Sequence, residues 1–522
     1  MTQEPNGVHM ATAFKIVPKE YRDSVSLMQL SALLAKLPGV EQASAVMATP
    51  NNLALLEEAG FAVKATGASA ADLLIVARGA ETALAGALEQ AVQHLTRQPD
   101  STAQTEAASK PRSIEMALAE AGAANIALIS TPGEYAAAEA MKALRLGLNV
   151  MLFSDNVSEE DEVRLKRFAS ARDLMVMGPD CGTAIINGVP LAFANVVKRG
   201  AIGAVGASGT GLQQVTVLVD RLGLGISQAV GTGGRDLHRE VGGIAMSKGL
   251  KDLAADPATK VIVLISKPPA AEIAERILGE ARKAGKPVVV NFLGADPARI
   301  SGGNVHGATT LEDAARAAVA IARGEVPRQS YGDAALPAAA APPFAPGQRY
   351  VRGLFSGGTF CYEAALLLDE RLPDVYSNTP ARPQGALADV WRSHHHTLID
   401  LGDDVFTRGR PHPMIDYRLR NERIAKEAGD PQTAVILLDV VLGYGSNANP
   451  AGELVPALRR ARQIAAREGR SVAFVGHVCG TEGDPQNLNA QTNALTQAGM
   501  ALTQSNAQAV RLAAAMLSGG RS

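Results

Sequence analysis

Two segments of the chain place a serine and glycines directly after a short apolar stretch, in the pattern of a β-strand that turns into a helix. They read GAVGASGTG at 203–211 and GLFSGGTF at 353–360. Glycines let a backbone approach a ligand closely, and the free N–H groups of a helix start attract anions. Both turns are candidate sites for phosphate or carboxylate, and a capped turn without a ligand is the alternative. The candidate ligand-binding residues are Ser208, Gly209, Thr210, Gly211, Ser356, Gly357, Gly358 and Thr359.

Further glycines and cations in the same blocks can help to hold an anion. GTGGRD contributes Gly233, Gly234 and Arg235, and LGDDVFTRGRP contributes Arg408. Arginine forms paired hydrogen bonds with carboxylate or phosphate. Lys267, in ISKPP, is a cation expected just after a strand, and it is the first catalytic candidate. No segment has the GxxxxGK[ST] pattern, so the sequence does not support a P-loop nucleotide site.

Histidines are the natural groups for proton transfer near neutral pH. His477, in VGHVCGTEGDP, ends a strand-like segment, and both an acid/base role and a structural role are open for it. His306 follows GGNV and is the third catalytic candidate. The adjacent His394, His395 and His396 cannot all face one metal ion, so we expect them in a solvated loop.

The cysteines and aspartates have structural alternatives to a chemical role. Cys181 and Cys361 lie near expected helix starts, but neither has an acid or base partner in the sequence, so we expect them to be packed. We predict no metal site. Four aspartates either cap helices or bind magnesium through a phosphate group, namely Asp180, Asp236, Asp403 and Asp404.

The composition favours small-molecule chemistry in a multidomain protein. The 522 residues carry 50 basic and 52 acidic side chains and only 4% aromatics, which argues against a nucleic-acid or membrane surface. Three widely spaced cysteines match neither a disulfide framework nor a zinc motif. We find no signal-peptide pattern and no membrane-spanning run, so we expect a cytoplasmic protein.

Local patterns predict the elements that must position these residues. The segments 96–113 and 324–348 have no apolar period and are predicted linkers, which divide the chain into three blocks. The first block alternates strands with helices at 24–36 and 82–94, as a small α/β or ferredoxin-like domain does. The middle block alternates Val/Ile/Leu-rich strands with helices, which predicts two doubly wound parallel units with a break near Lys198.

The third block repeats part of the second. YVRGLFSGGTF matches AIGAVGASGTG, DPQTAVILLDV matches DPATKVIVLIS, and GRSVAFVGHV matches GKPVVVNFLG, in the same order. The second copy also contains PARPQGALADVWRSHHHT, so we expect an inserted loop there. A duplicated unit can bury a shared face and leave a crevice where strand ends and helix starts meet.

Four segments resemble the FdrA family, which is related to the alpha chain of succinyl-CoA synthetase: MGPDCGTAIINGVPLAFANVV, IGAVGASGTGLQQV, AVGTGGRDLHREVGG and DPATKVIVLISKPP. The resemblance spans residues 113–325, and the third block resembles the family's second ligase-type domain. It implies a multidomain α/β fold. The implied parts are a small N-terminal α/β domain at 1–108, a Rossmann-like CoA-binding-type domain at 109–198, flavodoxin-like, succinyl-CoA synthetase-like domains at 199–326 and 349–522, and a linker at 327–348.

The sequence departs from the synthetase pattern where that pattern does its chemistry. The synthetases relay phosphate through a histidine in a Gly-His-Ala-Gly turn, whereas this region reads LGADPARISGGNVHGATT, and His306 lies downstream of the relay position. Lys267 stands where the synthetases have a glutamate beside that histidine. The Gly-rich loop of the CoA domain and the ATP-grasp domain have no counterpart, so CoA and ATP enter only under a ligase alternative.

The resemblance implies a subunit of an oxamate carbamoyltransferase, because an FdrA-family member is associated with allantoin breakdown. That enzyme interconverts oxalurate and phosphate with oxamate and carbamoyl phosphate, and phosphate would attack the carbamoyl carbon directly. The alternatives are an ADP-forming acyl-CoA synthetase and a non-catalytic scaffold that binds an anion. We expect small-molecule substrates, separate partner subunits from the same operon, no nucleic acid or membrane partner, and no cofactor beyond phosphate or carbamoyl phosphate as substrate. A homo-oligomer is compatible with this prediction.

Overall fold

A computed structural model describes residues 10–20, 22, 27, 30–31, 33–58, 60–63, 66–96, 111–332, 342–407 and 410–519. The chain forms two compact units, one of Met1–Lys110 with Arg408–Pro411 and one of Pro111–Thr407 with His412–Ser522. None of the helices in these described ranges is long and apolar enough to cross a membrane.

The first unit is a small antiparallel α/β domain. Its strands are β1 (Met10–Val17), β2 (Val40–Met47) and β3 (Leu73–Ala80), in the order β1-β3-β2, with helices α1 (Pro50–Glu58) and α2 (Glu81–Thr96). Apolar side chains of α2 pack on the central strand, which confirms the predicted helix near 82–94. Of the predicted helix at 24–36, residues 27, 30–31 and 33–36 are described, and 27, 30–31 and 33–34 are helical. The first linker lies largely outside the described residues.

The second unit begins with a three-stranded parallel sheet. Its strands are β4 (Ile126–Ile129), β5 (Asn149–Leu152) and β6 (Val176–Met177), in the order β4-β5-β6. The helices are α3 (Ile114–Ala121), α4 (Gly133–Arg145) and α5 (Glu159–Ser170). Because the strand order is sequential, this sheet has no point at which the connections reverse direction.

The next sheet has seven strands in the order β13-β12-β11-β9-β10-β7-β8. They are β7 (Thr183–Ile186), β8 (Val189–Ala192), β9 (Arg199–Ala207), β10 (Ile226–Gly231), β11 (Val261–Ser266), β12 (Val288–Phe292) and β13 (Val305–Gly307). The helices are α6 (Gly209–Arg221), α7 (Ile244–Ala255), α8 (Ala271–Ala281), α9 (Pro297–Ile300) and α10 (Leu311–Ala322).

The hairpin of β7 and β8 differs from the predicted arrangement. It precedes the predicted break near Lys198, yet β7 pairs antiparallel with β10 and so extends the sheet that follows the break. Short segments such as these carry no periodic signal, and only the long-range pairing with β10 decides which sheet they join.

The third sheet contains six parallel strands in the order β15-β16-β14-β17-β18-β19. They are β14 (Tyr350–Phe355), β15 (Val375–Ser377), β16 (His396–Asp400), β17 (Thr433–Val441), β18 (Ala473–Cys479) and β19 (Met500–Thr503). The helices are α11 (Gly358–Asp369), α12 (Asp404–Thr407), α13 (Arg418–Gly429), α14 (Pro450–Ala466), α15 (Leu488–Gln497) and α16 (Asn506–Gly519), with a 3₁₀ turn at Pro383–Gly385.

The two larger sheets confirm the duplication. The parallel strands β10-β9-β11-β12-β13 and β16-β14-β17-β18-β19 share the flavodoxin-like order 2-1-3-4-5. The inserted segment runs into the first residues of β16, and β15 adds an edge strand to the second copy alone. A continuous apolar core joins α6 and α10 of the first copy to α11 and α16 of the second. The copies therefore pack through their helices.

Asp484 fastens the segment before β9 to the second copy. Its carboxylate accepts hydrogen bonds from Asn195 Nδ2 (2.8 Å), Val196 N (2.8 Å) and Thr481 N (2.7 Å). Burial raises the pKa of Asp484, and these donors oppose that rise. The charge is held by backbone and amide N–H groups in place of a paired cation.

Replacement of Asp484 by alanine should destabilise the second unit, because three partly or fully buried donors lose their acceptor. We expect a loss of at least about 1–3 kcal/mol, measured by urea denaturation. The neighbouring exposed Glu482 is the matched control, and Glu482→Ala should change stability by less than about 0.5 kcal/mol. Equal effects of the two variants would contradict this assignment.

Candidate functional site

The N-termini of α6 and α11 meet at a buried contact between the two copies. Ser208 Oγ lies 2.7 Å from Thr359 Oγ1, and Ser208 also caps α6 by accepting a hydrogen bond from Gly211 N at 3.0 Å. A Cβ on Gly357 would lie 2.8 Å from the Thr210 side chain, so only glycine allows this approach. The first N–H groups of a helix have no intrahelical acceptor, so two positive helix ends face one region.

The second turn is already filled by a carboxylate of the protein itself. Asp439, fully buried on β17, accepts from Ser356 N (2.8 Å), Ser356 Oγ (2.9 Å) and Gly357 N (2.8 Å). Arg420 Nη1 donates to the same carboxylate at 2.9 Å, and both side chains are fully buried. Asp439 thus occupies the position that an anionic ligand would take at this turn.

The first turn opens onto a narrow crevice at the carboxyl ends of β9 and β10. Glycine-rich turns from three parts of the chain form its walls. The lining residues are Asp180, Cys181, Gly182, Thr183, Gly206, Ser208, Gly209, Gly231, Gly233 and Gly234. The structure therefore brings together the predicted residues of GASGTG and GTGG, and it adds Asp180 to them.

Lys267 stands beside the same junction. It follows β11, whose last residue Ser266 pairs with Ala207, the residue before Ser208. A Cβ on Gly358 would overlap Asp400 Oδ2 and would lie 3.4 Å from Lys267 Nζ. Lys267 makes no ion pair shorter than 4.0 Å with a described residue. Its position is the switch point of the first copy's sheet, where α/β proteins bind ligands.

Two carboxyl groups near Lys267 hold their protons more tightly than usual. Burial raises the pKa of Asp400 to about 6, against the opposing effects of Lys267 and a hydrogen bond from Gly402 N (2.9 Å). The pKa of Asp180 rises to about 7 because the surrounding protein desolvates it and other carboxylates lie near it. Asp180 is nevertheless accessible to solvent through the crevice. Both groups can exchange protons close to neutral pH.

His412 was not singled out by the sequence analysis, yet it borders this region. Its Nε2 and Asp400 Oδ1 both lie beside Gly402. Burial and Arg420 lower the pKa of His412 to about 4, so the ring is neutral at physiological pH. Met414 N donates to His412 Nδ1 at 3.2 Å, which places the ring proton on Nε2 as a donor. Its segment, RPHPM, has no motif that would have pointed to this position.

Arg235 is bound to the protein near the crevice wall. Its Nε donates to Glu162 (3.0 Å) and its Nη2 to the carbonyl of Val157 (2.8 Å). Lys166 joins Glu162 to Asp236, with both distances 2.8 Å, and all three side chains are buried. These contacts fasten α5 to the GTGG turn, so Arg235 supports the turn through Glu162.

Of the aspartates predicted either to cap helices or to bind magnesium, Asp236 and Asp403 cap helices. Asp236 caps α7 by accepting from Ala245 N and Met246 N, at 3.2 and 2.8 Å. Asp403 caps α12 by accepting from Val405 N at 3.0 Å. Asp180 is the exception, because it lines the crevice. Arg408, a predicted ligand-binding residue, lies outside the described residues.

Neither of the two catalytic candidates among the histidines lines the crevice, although His477 is the cross-strand neighbour of Asp439. His306, on edge strand β13, pairs with Val289, three residues before the end of β12 and so roughly 10 Å short of the ligand-binding edge. His477 is fully buried on β18, packs edge-on against Phe360 at 4.7 Å, and has no hydrogen-bond partner among the described residues. Burial and Arg221 lower the pKa of His477 to about 3. The geometry favours the structural alternative for His477.

Among the other predicted histidines and cysteines, His396, Cys181 and Cys361 are packing residues, whereas His394 is exposed in a loop. His396 lies in β16, is buried, and accepts from Val351 N at 3.1 Å, so the expectation of a solvated loop is wrong for this residue. Cys181 and Cys361 are buried, as expected, and burial raises the pKa of each thiol to about 12. The described ranges contain no group of three His, Cys, Asp or Glu residues that could hold a metal.

Comparisons with known proteins place these parts in known families. A family described as CoA-ligase matches residues 354–516, a CoA binding domain matches 197–294, and "AllF, heavy metal-associated domain" matches 10–111. The uncharacterized protein YahF of Escherichia coli (strain K12) is 42% identical over 95% of this chain and 97% of its own length.

More distant relatives cover part of the chain. A succinate–CoA ligase [ADP-forming] subunit alpha-2 of Trichomonas vaginalis is 30% identical over 33% of this chain and 57% of its own length. Among solved structures, ATP citrate lyase from Methanothrix soehngenii, in complex with citrate and coenzyme A, aligns with 78% of this chain and 83% of its own at 15% identity and a TM-score of 0.34.

The heavy metal named by one family description does not fit the residues present. Residues 10–111 contain no cysteine, and a soft heavy-metal site needs thiolate ligands. The CoA binding domain match covers 197–294, which includes β9 to β12 of the first copy's sheet, whereas the sheet of β4, β5 and β6 lies outside the match.

Removal of the Asp439 carboxylate should leave the N–H groups of the turn at Ser356 without their acceptor. Asp439→Ala leaves the Arg420 cation buried without its partner, so we expect a loss of about 3–5 kcal/mol of unfolding free energy in urea. Added formate should recover part of that loss by entering the vacated position. The partly exposed pair of Asp416 and Arg418 is the control, and Asp416→Ala should cost no more than about 1 kcal/mol. A loss below about 1 kcal/mol for Asp439→Ala would contradict the filled turn.

Proposed function

The chain belongs to the FdrA family of the succinyl-CoA synthetase superfamily, and from that premise we propose that it is a carbamoyltransferase subunit. In the proposed reaction, phosphate attacks the ureido carbonyl carbon of an N-carbamoyl acid such as oxalurate. Oxamate leaves and carbamoyl phosphate forms. The relatives of the chain include ADP-forming CoA ligases, whose chemistry also passes through an acyl phosphate. The proposed reaction therefore transfers a different group but still forms an acyl phosphate.

One observation carries the proposal: Lys267 Nζ lies by Gly358 at the start of α11, the start of α6 opens on the adjoining crevice, and neither predicted relay histidine lines that crevice. Lys267 and the N–H groups of α6 can supply positive charge for a phosphate. His306 lies short of the ligand-binding edge, and His477 is sealed in the core. A site of this kind works by holding phosphate against its acceptor, without a covalent phosphohistidine.

The arrangement also supports one anion position per chain. Asp439 occupies the turn at Ser356, whereas the turn at Ser208 opens on the crevice. We therefore assign phosphate to Ser208, Gly209 and Lys267. Thr359 holds Ser208 in place through their 2.7 Å hydrogen bond. The carbamoyl acid would lie against the GTGG turn, where Gly233 and Gly234 line the crevice.

The ligase alternative is supported by the matched CoA-ligase family and by the synthetase relatives. It requires ATP from a partner chain and a phosphorylatable histidine. His412, the histidine beside Asp400, would be its best candidate in the described part of the chain. Under this alternative, ATP-dependent labelling should give an acid-labile phosphohistidine that His412→Ala removes.

The first test is phosphorus NMR of the chain co-expressed with its genomic neighbours. Carbamoyl phosphate is followed with oxamate and in a control without it. Oxamate-dependent conversion of carbamoyl phosphate to phosphate is the expected result. Equal decay in both samples would overturn the proposed transfer, and the ligase alternative is then tested with CoA, ATP and short carboxylic acids.

Lys267→Ala should weaken phosphate binding because the site loses its cation. A lost charged contact of about 1–3 kcal/mol corresponds to a rise in Kd of roughly 5- to 150-fold, measured by calorimetric titration. Lys251, exposed on α7 of the same sheet, provides the control, and Lys251→Ala should leave Kd unchanged. Equal phosphate affinities of the wild-type protein and Lys267→Ala would contradict the assignment of phosphate to this position.

A further inference from the structure

Asp180 is the one carboxyl group that lines the crevice beside the open turn. It shares that lining with Ser208, Gly209 and the GTGG turn, and its side chain is exposed to solvent there. Its backbone N–H donates to Ser154 O at 3.0 Å, which holds the residue in place. The Asp180 carboxylate accepts no hydrogen bond from a described residue. The residue is therefore positioned by its backbone, and its carboxylate has no acceptor role within the described part of the chain.

The charges around Asp180 come from several elements. Asp155 follows β5, Asp404 lies on α12, Asp400 ends β16, and Lys267 follows β11. Desolvation, followed by the three carboxylates, raises the pKa of Asp180 to about 7, and Lys267 opposes the rise. Its carboxylate and carboxylic acid forms are both populated near neutral pH. This is the condition under which one group can take up and release a proton within a single turnover.

We propose that Asp180 carries the proton that moves from the attacking phosphate to the leaving nitrogen, a role that rests on the proposed carbamoyl transfer. Asp180 lines the same crevice as the phosphate position at Ser208 and Gly209 and the acceptor position at Gly233 and Gly234. A group in that lining can serve both ends of the proton path.

The step balances without a further reactant. The Asp180 carboxylate takes the proton of HPO₄²⁻ as a phosphate oxygen bonds to the ureido carbon. The resulting tetrahedral centre then expels the amide nitrogen, and its C–N bond breaks. Asp180 returns the proton to that nitrogen, so oxamate and carbamoyl phosphate leave and the carboxylate is restored. In the reverse direction, the same carboxylate takes a proton from the oxamate nitrogen and returns it to phosphate.

The test measures the reverse reaction from pH 5.5 to 8.5, because neither carbamoyl phosphate nor oxamate titrates near pH 7. For the wild-type complex, we expect the rate to fall as pH drops below about 7, where Asp180 becomes protonated. Asp180→Asn should lower kcat by 10²–10⁴-fold and remove that pH limb. Asparagine is suited to this position, since Asp180 has a φ of 54° and asparagine tolerates that region well.

Asp155→Asn is the matched variant, because it removes a neighbouring negative charge and leaves Asp180 in place. We expect the pH limb to move to lower pH while kcat at high pH is retained. A merely structural role for Asp180 would not produce that shift. Phosphate titration gives a second readout: at pH 8, Asp180→Asn should bind phosphate more tightly than wild type, since a like charge is removed.

The outcomes separate the two proposals. A wild-type complex without oxamate-dependent turnover overturns the proposed function and, with it, this role for Asp180. If the wild type turns over and Asp180→Asn retains the full rate, Asp180 is not the proton carrier and the proposed function stands. Identical phosphate affinities of wild type and Asp180→Asn at pH 8 would place Asp180 outside the anion site and would also overturn the role.

Discussion

The fold of the second unit depends on the approach of two helix N-termini, made at the 2.7 Å hydrogen bond between Ser208 and Thr359. Each helix end carries partial positive charge, so their close approach is unfavourable unless negative charge lies near them. Asp439 supplies that charge at the α11 turn, and Asp400 lies against Gly358 at the same helix end. The α6 end has no such internal carboxylate among these contacts, so an incoming anion can compensate it.

The duplication therefore gave two related turns with different roles. In the second copy, the carboxylate of Asp439 and the buried Arg420 complete the turn from within. In the first copy, the residue paired with the strand end before Ser208 is Ser266, and a lysine follows it. The second turn is thus closed by the protein's own groups, whereas the first turn lines the crevice. This asymmetry suits a site that takes a single phosphate and places its acceptor opposite.

Desolvation shifts the pKa values of the titratable groups near the junction. Asp180 and Asp400 both have raised pKa values, and His412 is kept neutral by burial and by Arg420. A carboxyl group whose folded pKa lies above its unfolded value makes the protein less stable as pH rises between the two values. None of these groups belongs to the first unit. The family that matches the first unit is described as heavy metal-associated, yet residues 10–111 contain no cysteine.

The sequence by itself determined the α/β class, the duplicated unit and the two Gly-rich turns, because these follow from local periodicity and from turn chemistry within a few residues. It also indicated Lys267 as a cation at a strand end. Tertiary structure alone decided that Asp439 closes one turn, since that contact joins residues 83 positions apart. It decided equally that Arg235 pairs with Glu162 and that the hairpin of β7 and β8 joins the later sheet. Long-range pairing sets which polar groups share a crevice, and no local pattern encodes it.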